Sequence, residues 1–144
     1  MARVEALCIS DRKGAVKKAV VQAVFKQGWG IEGDAHAGPW HRQVSLLAGE
    51  SIDRVKELLP ELDQGAFAEN IITRELDLAV LPIGSRLRIG ASVEVEITQI
   101  GKECHNSGCA IKKATGDCIM PREGVFAKVL AGGTVVAGDA IVRL

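Results

Sequence analysis

A chain of 144 residues, 47% of them hydrophobic, is long enough to bury about two-thirds of its unfolded surface without disulfide or metal staples. Eighteen Lys and Arg balance 18 Asp and Glu, aromatics make up 3% and tyrosine is missing, which argues against nucleic acid and against an anionic membrane as partner. The charged start Met1-Ala2-Arg3-Val4-Glu5 and the lack of a long apolar run argue against a signal peptide or membrane span and point to the cytoplasm, where Cys8, Cys104, Cys109 and Cys118 are expected as thiols or ligands.

In chain order, Val4 to Ile9 reads as a strand ending in the turn Ser10-Asp11. Val16, Ala19, Val20, Ala23 and Val24 fall at helical spacing, but their valines and the following Gly28-Trp29-Gly30 suit an extended chain equally, so periodicity leaves this stretch open. Arg42 to Leu47 reads as a buried strand. Ser51 to Leu59 reads as a short amphipathic helix, with Ser51 as N-cap and Pro60 as stop. The loop Gly65-Ala66-Phe67-Ala68-Glu69-Asn70 feeds the extended Ile71-Ile72-Thr73. From Leu78 onward short strands alternate with glycine turns, most clearly in Val93-Glu94-Val95-Glu96-Ile97, and the pattern returns from Val125 to Leu144. The fold expected is a single domain over 1–144, mainly β and antiparallel, closed or nearly closed into a barrel, with a few short helices.

Two segments carry candidate chemistry. The first, Gly30 to Gly38 followed by His41-Arg42, combines closely spaced glycines, which allow positive φ and close approach of a ligand to the backbone, with Asp34, His36, His41 and Arg42 for metal, proton or anion chemistry. The competing reading is a plain glycine-rich turn, and nucleotide-loop signatures do not apply. The second is Gly101-Lys102-Glu103-Cys104-His105-Asn106-Ser107-Gly108-Cys109. A Lys or protonated His near Cys104 stabilises the thiolate that acts as nucleophile or soft-metal ligand. Cys104 as a packed small hydrophobe, a fortuitous Cys104–Cys109 pair, and a zinc site from Cys104, His105, Cys109 and Cys118 all compete with that reading. Cys8, in an apolar strand, reads as packing.

Taken together, Gly30-Ile31-Glu32-Gly33-Asp34-Ala35-His36, Arg42-Gln43-Val44-Ser45-Leu46-Leu47, Phe67-Ala68-Glu69-Asn70-Ile71, Ile83-Gly84 with Leu87-Arg88-Ile89-Gly90, and Cys104 resemble a MOSC domain, in order from about Ile9 to Val142. The resemblance implies a β-barrel with one reactive cysteine that binds the molybdenum cofactor or carries sulfur as a persulfide. The family's cysteine falls on Cys104, as sulfur carrier or molybdenum ligand, with Lys102 and His105 beside it. Its Gly-Asp-x-His turn falls on Gly33, Asp34 and His36. Glu69 and Asn70 join the expected cofactor-binding set, and Arg42, Lys102 and Lys13 are candidates for the phosphate of the pterin. Pyridoxal phosphate, which belongs to a desulfurase domain fused to some relatives, is not expected here. The sequence also lacks the additional amino-terminal barrel of larger relatives, so the site is expected to be open or completed by another protein or a second subunit, with a cysteine desulfurase or a molybdoenzyme as expected partner. Two other functions stay open: a molybdenum-dependent reductase of N-hydroxylated compounds fed by a partner electron donor, and a non-catalytic scaffold with a structural zinc.

Overall fold

The computed structural model describes residues 1–13, 16–101 and 123–144. Its strands are β1 (Arg3–Ile9), β2 (Lys18–Val20), β3 (Gln22–Lys26), β4 (Gly30–Ile31), β5 (Val44–Ala48), β6 (Ile71–Arg74), β7 (Arg86–Ile89), β8 (Val93–Ile100), β9 (Val125–Ala131), β10 (Gly133–Val136) and β11 (Ile141–Arg143), with the helix α1 (Gly49–Lys56) and a 3₁₀ turn at Leu78–Val80. The stretch that periodicity left open is extended, as β2 and β3. Its valines lose rotamer freedom in a helix and fit a pleated surface.

Eight strands form one sheet in the order β11-β7-β8-β9-β5-β6-β1-β2, and β10-β3-β4 form a second. The fold is mainly β, as expected, but the two sheets do not close into a barrel, so the closed or nearly closed barrel expected from the sequence is not confirmed. One edge of β1 pairs with β6. Its other edge is shared, with Leu7 to Ile9 on β2 and a lone bridge from Arg3 to Ala140 just before β11. β2 takes three of the seven residues of β1, and the Arg3 end meets the chain before β11 through that bridge and the bonds Val4 N to Asp139 O and Gly138 N to Val4 O, without a continuous ladder.

The sheet pairings are not all antiparallel either, because β5 and β6 run parallel with Leu46 opposite Ile71. Parallel neighbours require a crossover, and α1 with the loop after it supplies one. The helix begins two residues before Ser51, its cap position is Ala48 with no side-chain cap bond, and Ser51 instead lies buried within it.

Both faces of the central strands are covered. Val4, Leu7, Val44, Leu46 and Ile71 join a large core with the second sheet, while Ala6, Cys8, Leu47 and Ile72 pack on Ile52 and Val55 of α1 and on Phe67. That is why β5 is apolar on both faces apart from Ser45, which is buried too. In β1 the register shifts between Val4 and Ala6, so Val4 and Leu7, three positions apart, face the same core. Leu7 and Leu46 are each 0% exposed, so truncating either would leave a cavity that the surrounding residues fill only in part.

The connection between α1 and β6 folds back over residue 17. Lys17 N donates to Gly65 O at 3.1 Å, and a Cβ placed on Gly65, whose φ is +88°, would sit 1.9 Å from Lys17 O. Gly65→Ala is therefore expected to lower stability by about 3 kcal/mol or more, a backbone clash added to a left-handed φ, measured as a shift in the urea midpoint. A shift below about 1 kcal/mol would contradict this packing.

Candidate functional site

Over one end of the neighbouring strands β9, β5, β6 and β1 lies a cavity of about 130 Å³, lined by Lys13, His36, Trp40, Arg42, Ser45, Ala68, Asn70 and Phe126. Lys13 comes from the loop after β1, and His36 and Trp40 from the glycine-rich segment between β4 and β5. Arg42 precedes β5, Asn70 precedes β6, and Phe126 lies on β9. The sequence thus distributes the site over loops at strand ends, with the sheet as a rigid floor.

The rim is cationic and aromatic. Lys13 Nζ lies 5.3 Å from the Trp40 ring centroid, and the Arg42 guanidinium lies 5.9 Å from Trp40 and 5.3 Å from Phe126, within cation–π range. Arg42 Nε donates to Gln99 Oε1 at 3.0 Å, the oxygen that also meets His41 Nε2 at 2.8 Å. Gln99 Nε2 in turn donates to Gly101 O at 2.7 Å, and Gly101 N donates to Gly124 O at 2.6 Å. Arg42 is therefore tied through Gln99 to Gly101, three positions before Cys104 in the sequence. His41 itself is exposed and outside the cavity lining.

The floor is a closed set of buried hydrogen bonds. Asn70 Oδ1 accepts from Ser45 N at 3.0 Å, and Asn70 Nδ2 donates to Cys8 O at 3.0 Å, so one amide locks β5, β6 and β1 together. Glu69 is 0% exposed, and its two oxygens accept from Gly65 N at 3.0 Å and Phe67 N at 2.9 Å. Burial pushes the Glu69 carboxyl above the usual range, against the backbone donors and the Lys17 charge that pull it down. Glu69 thus stands behind the wall, shaping the loop. Ala68, between it and the cavity, takes φ +62°, a conformation that costs a non-glycine residue about 1 kcal/mol.

Beneath His36 lies a residue that the sequence does not single out. Lys17 is 0% exposed and its Nζ meets Asp34 Oδ1 at 2.7 Å, His36 Nδ1 at 2.9 Å and Ser10 Oγ at 3.3 Å. Asp34 also accepts from Ser10 N at 3.1 Å and, through Oδ2, from His36 N at 3.2 Å. Asp34 is buried, so it holds Lys17 and the turn rather than lining the cavity. Gly33 has φ +85°, and a methyl group there would meet open space, so this glycine serves the turn's conformation and not a close approach.

Cys104, Lys102 and His105 lie outside the described residues, as do Cys109 and Cys118 of the zinc alternative. Among the described residues no group of three or more His, Cys, Asp or Glu could hold a metal. A larger cavity of about 700 Å³, lined by Glu50, Glu75, Asp77 and Glu123 among others, has Arg54 as its cation, and Arg54 is paired to Glu123. Its carboxylates repel an anion, so size and chemistry disagree, and chemistry favours the smaller cavity. No helix among the described residues is long and apolar enough to cross a membrane.

A mainly-β domain with a small basic and aromatic cavity at its strand ends defines the class. The sequence pattern of the MOSC domain matches residues 33–142, and the chain belongs to the MOSC domain family. The structure is similar to the YuaD protein from Bacillus subtilis, with TM-score 0.80 and 23% identity over 97% of this chain and 93% of that one. It is also similar to YiiM from Geobacillus stearothermophilus, with TM-score 0.73 and 16% identity over 100% and 75%, and to YiiM from Escherichia coli, with TM-score 0.64 and 19% identity over 99% and 69%. No curated protein is matched by sequence.

Cys8 is the cysteine whose surroundings are described, and they make it inert. Burial first, then the Glu69 charge, push its thiol from 9.0 up to about 12. Alkylation at about pH 8 followed by peptide mass mapping is expected to leave Cys8 unmodified until urea unfolds the protein, and labelling of native Cys8 at the rate of a free thiol would contradict its burial. The same burial makes stability depend on pH. An unfolded Cys8 ionises near 9.0 and the folded one resists until about 12, so this group's contribution to stability is present below 9.0 and is lost as pH rises through that window.

Proposed function

We propose that this chain handles the molybdenum cofactor, with the described cavity taking the anionic phosphate end of the pterin and Cys104 ligating molybdenum or carrying a transferable sulfur. The observation that supports the reading is the gathering of Lys13, Arg42 and His36 around one cavity edged by Trp40 and Phe126. Charge-assisted donors suit a phosphate, and aromatic faces suit the flat ring beside it.

The size of the cavity limits what it holds. Pockets for whole organic ligands run to about 300 Å³ and above, and this one is about 130 Å³. It fits a phosphoryl group and its attachment, so the remaining cofactor needs surface beyond this cavity. When bound, the cofactor supplies a metal centre with sulfur ligands. The chain's own part is to hold the phosphate through Arg42 and Lys13, to keep the floor rigid through Asn70 and Ser45, and to bring up Cys104. Cys104 stands three residues after Gly101 in sequence, a span of at most about 11 Å.

A sulfur-carrier role places a thiolate on Cys104, which takes the outer sulfur of a donor persulfide while the donor's cysteine leaves as thiolate. Lys102 and His105 belong to this proposal as the groups that favour the thiolate. The donor fits the chemistry of a cysteine desulfurase.

The test is cofactor content after expression in a host that makes the cofactor. Wild type is expected to copurify with molybdenum and with pterin measured by fluorescence after oxidation, and Arg42→Ala or Lys13→Ala is expected to lower retention roughly tenfold or more, as for a lost charge-assisted bond. Equal retention in the variants would remove this cavity from the binding site.

A further inference from the structure

Strand β8 alternates core and outer residues as far as Ile97, and by that period Gln99 would face the core with it. A bulge prevents this. Ile97 stands opposite Ala127 and Gln99 opposite Phe126, so Thr98 is the extra residue in the pairing with β9. Ala127 and Phe126 are consecutive and face opposite sides, Ala127 in the core and Phe126 at the cavity. The bulge therefore turns Gln99 out of the core and onto the side of Phe126. Both of its residues hold the chain at Arg42: the Thr98 hydroxyl reaches His41 O, and the Gln99 amide meets the side chains of His41 and Arg42. The orientation of that amide follows from its partners. Gly101 O can only accept and Arg42 Nε can only donate, so the amide nitrogen faces Gly101 and the amide oxygen faces the guanidinium, with His41 Nε2 as the second donor.

We propose that Gln99 is a positioning residue for Arg42, fixing the guanidinium at the cavity through Nε while leaving its charge uncompensated for an anion. This rests on the cavity being the anion site argued above. Gln99 does not line the cavity and acts only through the arginine. Elsewhere in the molecule an arginine is held by a carboxylate, Arg74 by Asp53 at 2.7 Å and Arg54 by Glu123. Such a partner fixes the guanidinium and cancels its field at the same time. Among the described residues no carboxylate pairs with Arg42: its Nε bonds to the neutral amide, and its face lies over Trp40 and Phe126. An amide and two ring faces hold the planar group with no counter-charge. Its two Nη groups, the paired donors that match a phosphate edge, make no hydrogen bond to the described residues. The bulge thus spends a core position of β8 on orienting a cation that an ion pair would have silenced.

The experiment compares Gln99→Leu and Gln99→Glu with wild type by nitrogen-correlated NMR, with Arg42→Lys assigning the Arg42 Nε–H signal. In ligand-free wild type that N–H is expected to exchange slowly with water, and in Gln99→Leu at least about tenfold faster, because the bond that protects it is gone. In Gln99→Glu the carboxylate still accepts the bond, and slow exchange is expected to persist. Inorganic phosphate, followed through the Trp40 indole resonance, then separates position from charge. Its affinity is expected to fall about tenfold or more in Gln99→Glu, where the guanidinium is held but neutralised, and about three- to tenfold in Gln99→Leu, where it is charged but loose. Unchanged exchange in Gln99→Leu overturns the proposal, as does phosphate binding in Gln99→Glu as tight as in wild type. Exchange in wild type as fast as that of a free arginine overturns it without any variant. Wild type that binds no phosphate overturns the anion reading of the cavity instead, and the ligand-free exchange still decides whether Gln99 holds Arg42.

Discussion

The buried ion pair between Lys17 and Asp34 is the constraint around which the functional end of the molecule is arranged. It joins three segments distant in sequence: the end of β1 through Ser10, the chain before β2 through Lys17, and the glycine-rich turn through Asp34 and His36. Gly65 closes over the Lys17 backbone, and Glu69 fixes the loop that carries Gly65. Such a pair contributes little net stability over apolar residues of the same volume, yet losing one partner leaves a charge in the interior. Its value lies in specifying where the turn sits. Once the turn is fixed, Trp40 is held too, its indole Nε1 donating to His36 O at 2.8 Å, and Trp40 is the face over which Lys13 and Arg42 gather.

The second organising feature is the crossover at β5 and β6. Because these strands run parallel with α1 between them, Ser45 and Asn70 come side by side at one end of the sheet, where Phe126 of β9 and the end of β1 also arrive. A sheet of consecutive antiparallel hairpins alone would not collect these loops at one end. The open edge belongs to the same arrangement, since β2, the strand that follows Lys17 directly, takes Leu7 to Ile9 of β1 and leaves only the Arg3 end to meet the chain before β11.

Much of this is visible in the sequence where a local pattern dictates it. Val93 to Ile97 alternates apolar and charged residues and is the start of β8, and the apolar run near Val44 is a strand covered on both faces. The turn containing Gly33, Asp34 and His36 stands out by its residue types. Lys17 does not, because its burial reverses hydropathy: Val16 beside it is 61% exposed, and the lysine is buried only because Asp34, seventeen positions away, reaches it. No local spacing encodes that pairing. The parallel strands were within reach of a sequence argument, since a strand, a helix and a strand in succession from 42 to 73 call for a crossover. The role of Ser51 was not, because as a buried helical residue it donates to Glu123, far along the chain, instead of capping its own helix.

The central claim is that the cavity beside the buried pair receives the anionic end of the molybdenum cofactor. The sequence has two tryptophans, and of these Trp40 lines the cavity while Trp29 does not, which gives a probe and an internal control. Cofactor released from a donor molybdoenzyme, added to the nitrogen-labelled protein, should move the Trp40 indole resonance and leave that of Trp29 in place. Binding that leaves the Trp40 resonance unmoved would place the cofactor elsewhere on the chain and contradict the account.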